Sequence, residues 1–139
     1  MRKVPKWSEY FMNIAKVVAS RSKDPNTQVG CVIVDSNRHI IGTGYNGFSS
    51  NDLESDNKWK KDNKSNHVVH SELNALLHAV KSVKGATLYC THKPCQNCCL
   101  AISASGIKEV IFLNDREQDT YSVPYLKSVG ILIRHLKED

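Results

Sequence analysis

The sequence predicts a single α/β domain of three layers, with helices on both faces of a five-stranded mixed sheet. Segments with the helical period of three to four residues alternate with β-rich runs in the order α-β-β-α-β-α-β-α-β. That order is typical of one sheet packed between helices. A chain of 139 residues has the size of one ordinary domain. We therefore expect one domain over residues 1–139.

A helix and a hairpin open the chain. Apolar residues at spacings of three and four predict an amphipathic helix over residues 7–21, which must end before Pro25. Residues 28–35 and 39–45 are β-rich and are joined by a short polar turn, which is the pattern of a β-hairpin.

A polar segment follows the hairpin. Residues 51–66 carry charges of both signs and show no stable period, so we expect a surface loop with one helical turn near Trp59. This loop is either a solvated connection or a lid or wall of a pocket, since long loops beside active sites often carry function.

The second half of the chain alternates helices with single strands. Later helices are predicted at residues 68–83, 94–105 and 121–129. Later strands are predicted at residues 86–91, 109–113 and 131–135. Gly85 and Gly106 end the first two of these helices, and Pro94 suits a first helical turn.

The composition indicates a soluble, cytoplasmic protein without membrane contact. No apolar run approaches the roughly 20 residues of a membrane span, and no signal-peptide core follows the N-terminus. Five cysteines, an odd number, suit a reducing compartment better than a disulfide framework. The formal charge of +5 favours an anionic partner, but the basic residues are dispersed among acids. A phosphate-bearing small molecule therefore fits as well as nucleic acid does.

Two short stretches carry the chemistry of the chain. Glu72 follows His70 by two residues, and Pro94 precedes the pair Cys95 and Cys98. One imidazole and two thiolates select Zn²⁺, and three protein ligands leave the fourth tetrahedral position open for water. Glu72 is close enough to reach that water without being a ligand. The combination of H-x-E with P-C-x-x-C is a known signature of zinc nucleobase deaminases.

The predicted elements place both stretches at helix starts, where the helix dipole and the metal favour thiolate over thiol. Two cysteines at this spacing also occur in structural zinc knuckles and in redox pairs, but a knuckle needs a fourth protein ligand at comparable spacing. We interpret His67 and His92 as loop residues rather than ligands. Glu72 is expected to take a proton from the water, pass it to N3 of a cytosine ring and assist the loss of ammonia.

A family resemblance extends from about residue 7 to residue 130. It is carried by residues 21–26, 28–30, 44–47, 70–75, 94–98 and 105–112. These stretches closely resemble the deoxycytidylate (dCMP) deaminases of eukaryotes, their viruses and bacteriophages. The resemblance implies a cytidine deaminase-like fold, hydrolysis of dCMP to dUMP for thymidylate synthesis, and a homohexamer. It also implies activation by dCTP with Mg²⁺ and inhibition by dTTP.

The resemblance also assigns roles to individual residues. The zinc ligands would be His70, Cys95 and Cys98, with Glu72 as the catalytic proton carrier. Substrate contacts would come from Asn46, Ser71, Thr91 and Tyr121. The effector pocket would involve Ser22, Lys23, Asn26, Gly44, Tyr45 and Gly47. Turn formation is an alternative explanation for Asn46, and a core position for Tyr121.

The sequence departs from the family pattern at two places. Phe48 and the serines after it stand where relatives often have proline, which bears on the geometry of the effector site. Ser71 stands where many relatives have alanine. The residues that hold the 5′-phosphate are not fixed by the motifs, and Arg116 and Lys81 are candidates.

Three other functions remain open at this point. A deaminase of tRNA adenosine or single-stranded nucleic acid would need a clustered basic groove and stacking aromatics, whereas the chain has 7% aromatic residues and no basic run. A deaminase of deoxycytidine or dCTP would differ in its phosphate site. A non-catalytic zinc-binding module would not need Glu72.

Overall fold

The computed structural model describes residues 1–52, 59 and 67–138, and their helices and strands follow the predicted order. The elements are α1 (Trp7–Ala19), β1 (Gly30–Val34), β2 (Ile40–Tyr45), α2 (Ser71–Leu77), β3 (Thr87–His92), α3 (Gln96–Ser105), β4 (Glu109–Asn114), α4 (Ser122–Ser128) and β5 (Leu132–His135). Of the polar segment predicted as a loop with a helical turn, only residues 51, 52 and 59 are described, so that prediction lies largely outside the described residues.

The five strands form one mixed sheet in the order β2-β1-β3-β4-β5. β1 is antiparallel to both of its neighbours, whereas β3, β4 and β5 are parallel and are connected through α3 and α4. The carboxyl ends of parallel strands meet at one edge of a sheet, where ligands commonly bind in such folds. Gly30 pairs with Tyr45 and Cys31 with Cys90, so the start of β1 and the end of β2 lie at this same edge.

Helices cover both faces of the sheet, which confirms the predicted three-layer fold. Side chains alternate along each strand, so Val32 and Val34 face one side while Cys31 and Ile33 face the other. The first side packs against α1, and the second packs against α2, α3 and α4. Within the described part of the chain, none of the helices is both long enough and apolar enough to span a membrane.

The second helix begins later than predicted. The period indicated residues 68–83, but α2 starts at Ser71. Val69 forms an isolated antiparallel bridge with Gly47, which holds this part of the chain extended. His70 is extended as well, with φ −67° and ψ 152°, and it forms the N-cap of the helix. Pairing with a segment distant in sequence therefore overrides the local helical period.

The same helix also ends earlier than predicted. It stops at Leu77, and the Val80 N–H donates to the Ile41 carbonyl oxygen at 2.9 Å. Leu77 and Val80 are 74% and 82% exposed, so the last apolar residues of the period do not mark a buried face.

The third helix starts after Pro94 rather than at it. Cys95 is the N-cap, with φ −77° and ψ 172°, and the helical residues begin at Gln96. The Pro94 carbonyl oxygen instead accepts a hydrogen bond from the Ser122 hydroxyl at 2.8 Å, which ties the start of α3 to α4. At the other end Gly106 has φ 86°, the left-handed conformation that closes many helices.

Gly44 lets α2 lie close against β2, and this contact can be tested. A Cβ at Gly44 would overlap the Ser71 carbonyl oxygen and the Ala75 nitrogen and would lie 2.9 Å from Asn74 Cβ. We expect Gly44→Ala to lower the free energy of unfolding by about 1–3 kcal/mol, measured by urea denaturation. At Gly47 the nearest atom would be 3.7 Å away, so Gly47→Ala is the control. Equal losses in both variants would contradict the role of Gly44.

Candidate metal centre

The three predicted metal ligands lie together at the carboxyl edge of the sheet. His70 immediately precedes α2, Cys95 immediately precedes α3, and Cys98 lies in the first turn of α3. One donor atom from each of the three residues falls within 4.8 Å of the other two. The extended N-cap residues of two helices thus bring the ligands from distant positions in the sequence to one point.

The distances between these donor atoms fit zinc. His70 Nδ1 lies 3.3 Å from Cys98 Sγ and 3.5 Å from Cys95 Sγ. Tetrahedral zinc, with Zn–N near 2.0 Å and Zn–S near 2.3 Å, separates neighbouring nitrogen and sulfur ligands by about 3.5 Å. Within residues 1–52, 59 and 67–138, no fourth histidine, cysteine or carboxylate joins the group. This arrangement suits a catalytic zinc with an open position better than a structural knuckle.

Hydrogen bonds among the three side chains stabilise negative charge on one of the two cysteines, as a cation site needs. Hydrogen bonds from Cys98 and His70 lower the pKa of the Cys95 thiol to about 3, so Cys95 is a thiolate at neutral pH. The hydrogen bond with Cys95, followed by burial, raises the pKa of Cys98. The hydrogen bond with Cys95 also raises the pKa of His70. A divalent cation can replace the protons that stabilise this thiolate.

Glu72 lies in the first turn of α2 and is almost fully buried. Its Oε1 accepts hydrogen bonds from the Cys90 thiol, at 3.5 Å, and from the Ser71 hydroxyl. It lines the same cavity as His70. A buried carboxylate that faces a cavity beside a metal cluster, without belonging to that cluster, is placed to exchange protons with a bound molecule.

A cavity of about 500 Å³ opens over Glu72 and His70. Its walls also include Asn46 from the end of β2, His92 from the end of β3 and Arg116 from the segment after β4. This volume is within the range of small-molecule sites.

The Asn46 side chain is held by the protein at the cavity wall. Its Oδ1 accepts the Val29 N–H at 2.8 Å, and its Nδ2 donates to the Thr27 carbonyl oxygen at 3.0 Å and to the Asp24 carboxylate at 3.3 Å. An amide oxygen has two lone pairs, so Oδ1 keeps one for a bound hydroxyl. The turn role considered for Asn46 and a ligand contact are therefore compatible.

Two of the predicted substrate contacts lie outside this cavity. The Thr91 hydroxyl accepts the Gly30 N–H at 3.0 Å and so joins two strands. Tyr121 is exposed, stacks on Tyr125 and lines an adjoining cavity of about 440 Å³ that shares Arg116 with the first. Of the four predicted contacts, only Asn46 and Ser71 line the cavity above Glu72.

The turn predicted to bind an effector is connected to the cavity wall. The Ser22 hydroxyl donates to the Asn46 carbonyl oxygen at 2.8 Å, and the Asn26 N–H donates to Asp24 Oδ1 at 2.9 Å. Lys23 and Asn26 lie at the surface. The turn and Asn46 thus form one hydrogen-bonded unit.

The other predicted effector residues have mainly structural surroundings. Gly44 is buried beneath α2 and offers no surface to a ligand. The Tyr45 carbonyl oxygen accepts from the Asn74 side chain at 2.8 Å, and Gly47 pairs with Val69.

The prediction placed His92 in a loop and outside the ligand set; the loop part is wrong, whereas His92 does not belong to the cluster of His70, Cys95 and Cys98. His92 is the last residue of β3 because it pairs with Asn114 at the end of β4, and it lines the cavity. Burial, followed by the nearby Arg116 charge, lowers the pKa of His92 and so favours its neutral imidazole. His67 instead lies 3.0 Å from the Asp52 carboxylate. No local sequence pattern signalled the position of His92, because parallel pairing with β4 creates it.

The two candidate phosphate ligands differ in position. Arg116 is half-buried and lines both cavities, whereas Lys81 pairs with the Asp35 carboxylate at 2.7 Å and lines neither of them. The buried Lys93 ammonium group lies 2.8 Å from the carboxylate of Asp115, the residue before Arg116. This ion pair fixes the segment that carries Arg116.

Comparisons with known proteins agree with this geometry. The family described as "Cytidine and deoxycytidylate deaminase zinc-binding region" matches residues 5–114. The deoxycytidylate deaminases of Pongo abelii and Homo sapiens are each 42% identical to this chain over 121 residues, or 82% of this chain and 68% of theirs. The crystal structure of the dCMP deaminase of cyanophage S-TIM5 in complex with dCMP and dUMP is 27% identical, with a TM-score of 0.80, and the match covers 99% of this chain and 100% of that chain. These matches confirm the family resemblance inferred from the motifs.

Proposed function

The chain belongs to the cytidine and deoxycytidylate deaminase family, and we propose that it is a zinc-dependent enzyme that hydrolyses dCMP to dUMP and ammonia. One observation carries the proposal: the buried Glu72 carboxylate lines the same cavity as His70, one of the three clustered ligands. The choice of dCMP is supported by relatives named deoxycytidylate deaminase and by a structural neighbour that binds dCMP and dUMP.

In this proposal each residue of the site has a defined task. His70 Nδ1 and the sulfurs of Cys95 and Cys98 hold the zinc ion. When bound, zinc lowers the pKa of a water molecule toward neutrality and stabilises negative charge. Glu72 takes one proton from the attacking water and delivers it to N3 of the base as the water oxygen bonds to C4. Glu72 then takes the second proton from that oxygen and passes it to the amino group, so that the C4–N bond breaks, ammonia leaves and a C4 carbonyl remains.

We assign the 5′-phosphate to Arg116. Arg116 lines the cavity above Glu72, and within the described residues its guanidinium has no ion-pair partner. A guanidinium binds phosphate through two parallel hydrogen bonds, which gives both strength and orientation. The fixed position of the Asp115 carboxylate against Lys93 supports this assignment, because it holds the neighbouring residue in place.

Replacing Arg116 should separate nucleotide from nucleoside turnover. We expect Arg116→Ala to lower kcat/KM for dCMP by roughly tenfold to hundredfold, since a hydrogen bond to a charged group is lost, and to change deoxycytidine turnover little. Steady-state kinetics on both substrates measure this. Arg134→Ala removes the same charge from a residue that pairs with Glu109 and is the matched control. If Arg116→Ala lowered kcat/KM for dCMP and for deoxycytidine by the same factor, the assignment of the phosphate to Arg116 would be refuted.

The activity itself is tested by ammonia release from dCMP, dCTP and deoxycytidine, measured side by side. Turnover of dCMP above the other two supports the proposal. Comparable hydrolysis of dCTP would show an open phosphate pocket, and activity confined to deoxycytidine would refute the nucleotide assignment.

We also propose that dCTP with Mg²⁺ activates the enzyme and dTTP inhibits it, in a homohexamer. The connection between the Ser22 turn and Asn46 supports a route from an effector to the substrate cavity. Saturation curves for dCMP with and without each nucleotide test the regulation, and light scattering tests the assembly. Identical curves with and without the nucleotides would refute the regulatory model.

A further inference from the structure

The carboxylate that moves the proton is held by two buried side chains outside the metal cluster. Ser71, Glu72 and Cys90 are 1%, 4% and 0% exposed. The Cys90 thiol and the Ser71 hydroxyl both donate to Glu72 Oε1, and Ser71 Oγ lies 3.8 Å from Cys90 Sγ. The three polar groups therefore form a closed triangle beneath the cavity.

We propose that Ser71 and Cys90 are positioning residues that hold Glu72 Oε1 and leave Oε2 free for proton transfer in the cavity. Both donors use the same carboxylate oxygen, and Glu72 lines the cavity. The inference rests on the proposed deamination, because it assumes that Glu72 carries the proton. It gives Ser71, expected from the family resemblance to contact the substrate, a different task.

Burial explains why these donors are needed. A carboxylate removed from water is unfavourable unless hydrogen-bond donors replace the lost water, and Glu72 has the Ser71 hydroxyl and the Cys90 thiol for this purpose. The same contacts restrict the rotation of a flexible side chain. Catalytic groups must be held within about half an ångström of their productive position, and a 1 Å displacement can reduce the rate roughly hundredfold.

The two donors come from different layers of the fold. Ser71 belongs to α2, while Cys90 lies in β3, which is hydrogen-bonded to a strand on each side. Hydrogen bonds therefore hold Glu72 both to the centre of the sheet and to its own helix. Close packing of α2 on β2 at Gly44 keeps these layers in contact.

The test uses steady-state kinetics of the zinc-loaded enzyme with dCMP. We expect Ser71→Ala and Cys90→Ala each to lower kcat roughly tenfold, with KM and bound zinc unchanged, because only the orientation of Glu72 is affected. Cys90→Val fills the space without a donor and should lose as much as Cys90→Ala. Cys90→Ser keeps a donor and should stay closer to the unmodified enzyme.

Cys99 provides the matched control. It is also 0% exposed, its sulfur lies 3.8 Å from the Pro94 carbonyl oxygen, and within the described part of the chain it makes no hydrogen bond to Ser71, Glu72 or Cys90. Cys99→Ala should therefore keep kcat within about twofold while making a similar small cavity.

A second measurement does not depend on activity. In a crystal structure of the zinc-loaded Ser71→Ala/Cys90→Ala enzyme, the Glu72 carboxylate should occupy more than one orientation, whereas it should have one in the unmodified enzyme. A single unchanged orientation would overturn the inference.

The possible failures can be told apart. If the unmodified enzyme releases no ammonia from dCMP, the proposed function fails while the crystallographic comparison still tests the positioning role. If it is active but Ser71→Ala and Cys90→Ala keep full kcat, the positioning role is wrong. Full activity of Cys90→Val would reduce Cys90 to a packing residue, and loss of zinc would show that the pair supports the ligands instead.

Discussion

Replacing Glu72 with glutamine should lower kcat for dCMP by roughly 10²–10⁴-fold while the enzyme keeps its fold and its zinc. A carboxamide has nearly the same shape as a carboxylate but cannot accept a proton at neutral pH. Glu72 lies outside the ligand cluster of His70, Cys95 and Cys98, so the metal should remain bound. Turnover at saturating dCMP, metal analysis and thermal unfolding together measure these three properties.

The control for this variant is a carboxylate at the opposite edge of the sheet. Glu109 starts β4 and pairs with Arg134 at 3.3 Å, so Glu109→Gln removes the same charge away from the cavity and should leave kcat unchanged. If Glu72→Gln retained kcat within tenfold of the unmodified enzyme, Glu72 would not be the proton carrier. If zinc were lost together with activity, its role would be to support the metal.

The chemistry of this site could be predicted because its spacing is local. Glu72 follows His70 by two positions and Cys98 follows Cys95 by three, so a helix start is enough to bring the side chains of each stretch close together. The alternation of apolar residues similarly fixed the order of helices and strands. Features encoded within one turn or one strand were therefore accessible without the structure.

Features that depend on pairing between distant segments were not accessible. Val69 is extended because it pairs with Gly47, and the local helical period carries no information about that partner. His92 belongs to a strand because Asn114 lies beside it. The Thr91 hydroxyl accepts a hydrogen bond from the backbone of β1, and the sequence around Thr91 carries no signal of that partner.

The phosphate candidates show the same limit. Arg116 and Lys81 are both basic residues outside the recognised motifs, and sequence alone gave no reason to prefer either. Arg116 follows the carboxyl end of β4 and so lies at the carboxyl edge of the sheet, beside the cavity. Lys81 instead forms an ion pair with Asp35 and lies outside the cavity. Tertiary topology, rather than residue type, places only Arg116 of these two residues at the cavity.

Replacing Cys95 with alanine should remove both zinc and activity without removing the fold. Cys95 is only partly buried, so its loss leaves little empty space in the core, whereas it takes away the ligand whose thiolate is stabilised by Cys98 and His70. We expect zinc affinity to fall by more than the roughly 10–100-fold that follows the loss of an outer-shell partner. Competition with a chromophoric chelator measures the affinity, and it should weaken further as pH falls because protons compete for the ligands.

Cys99 is the control for Cys95→Ala, because it is more deeply buried than Cys95 but is not a predicted ligand. It is fully buried beside Cys98, but its sulfur lies 3.8 Å from the Pro94 carbonyl oxygen and is not part of the ligand cluster. Cys99→Ala should therefore cost about 1 kcal/mol of stability and keep zinc and kcat. Zinc should also raise the melting temperature of the unmodified and Cys99→Ala proteins, because a ligand that binds only the folded state stabilises it, and should leave Cys95→Ala unchanged. Zinc retention by Cys95→Ala, or its loss from Cys99→Ala, would assign the metal to other residues.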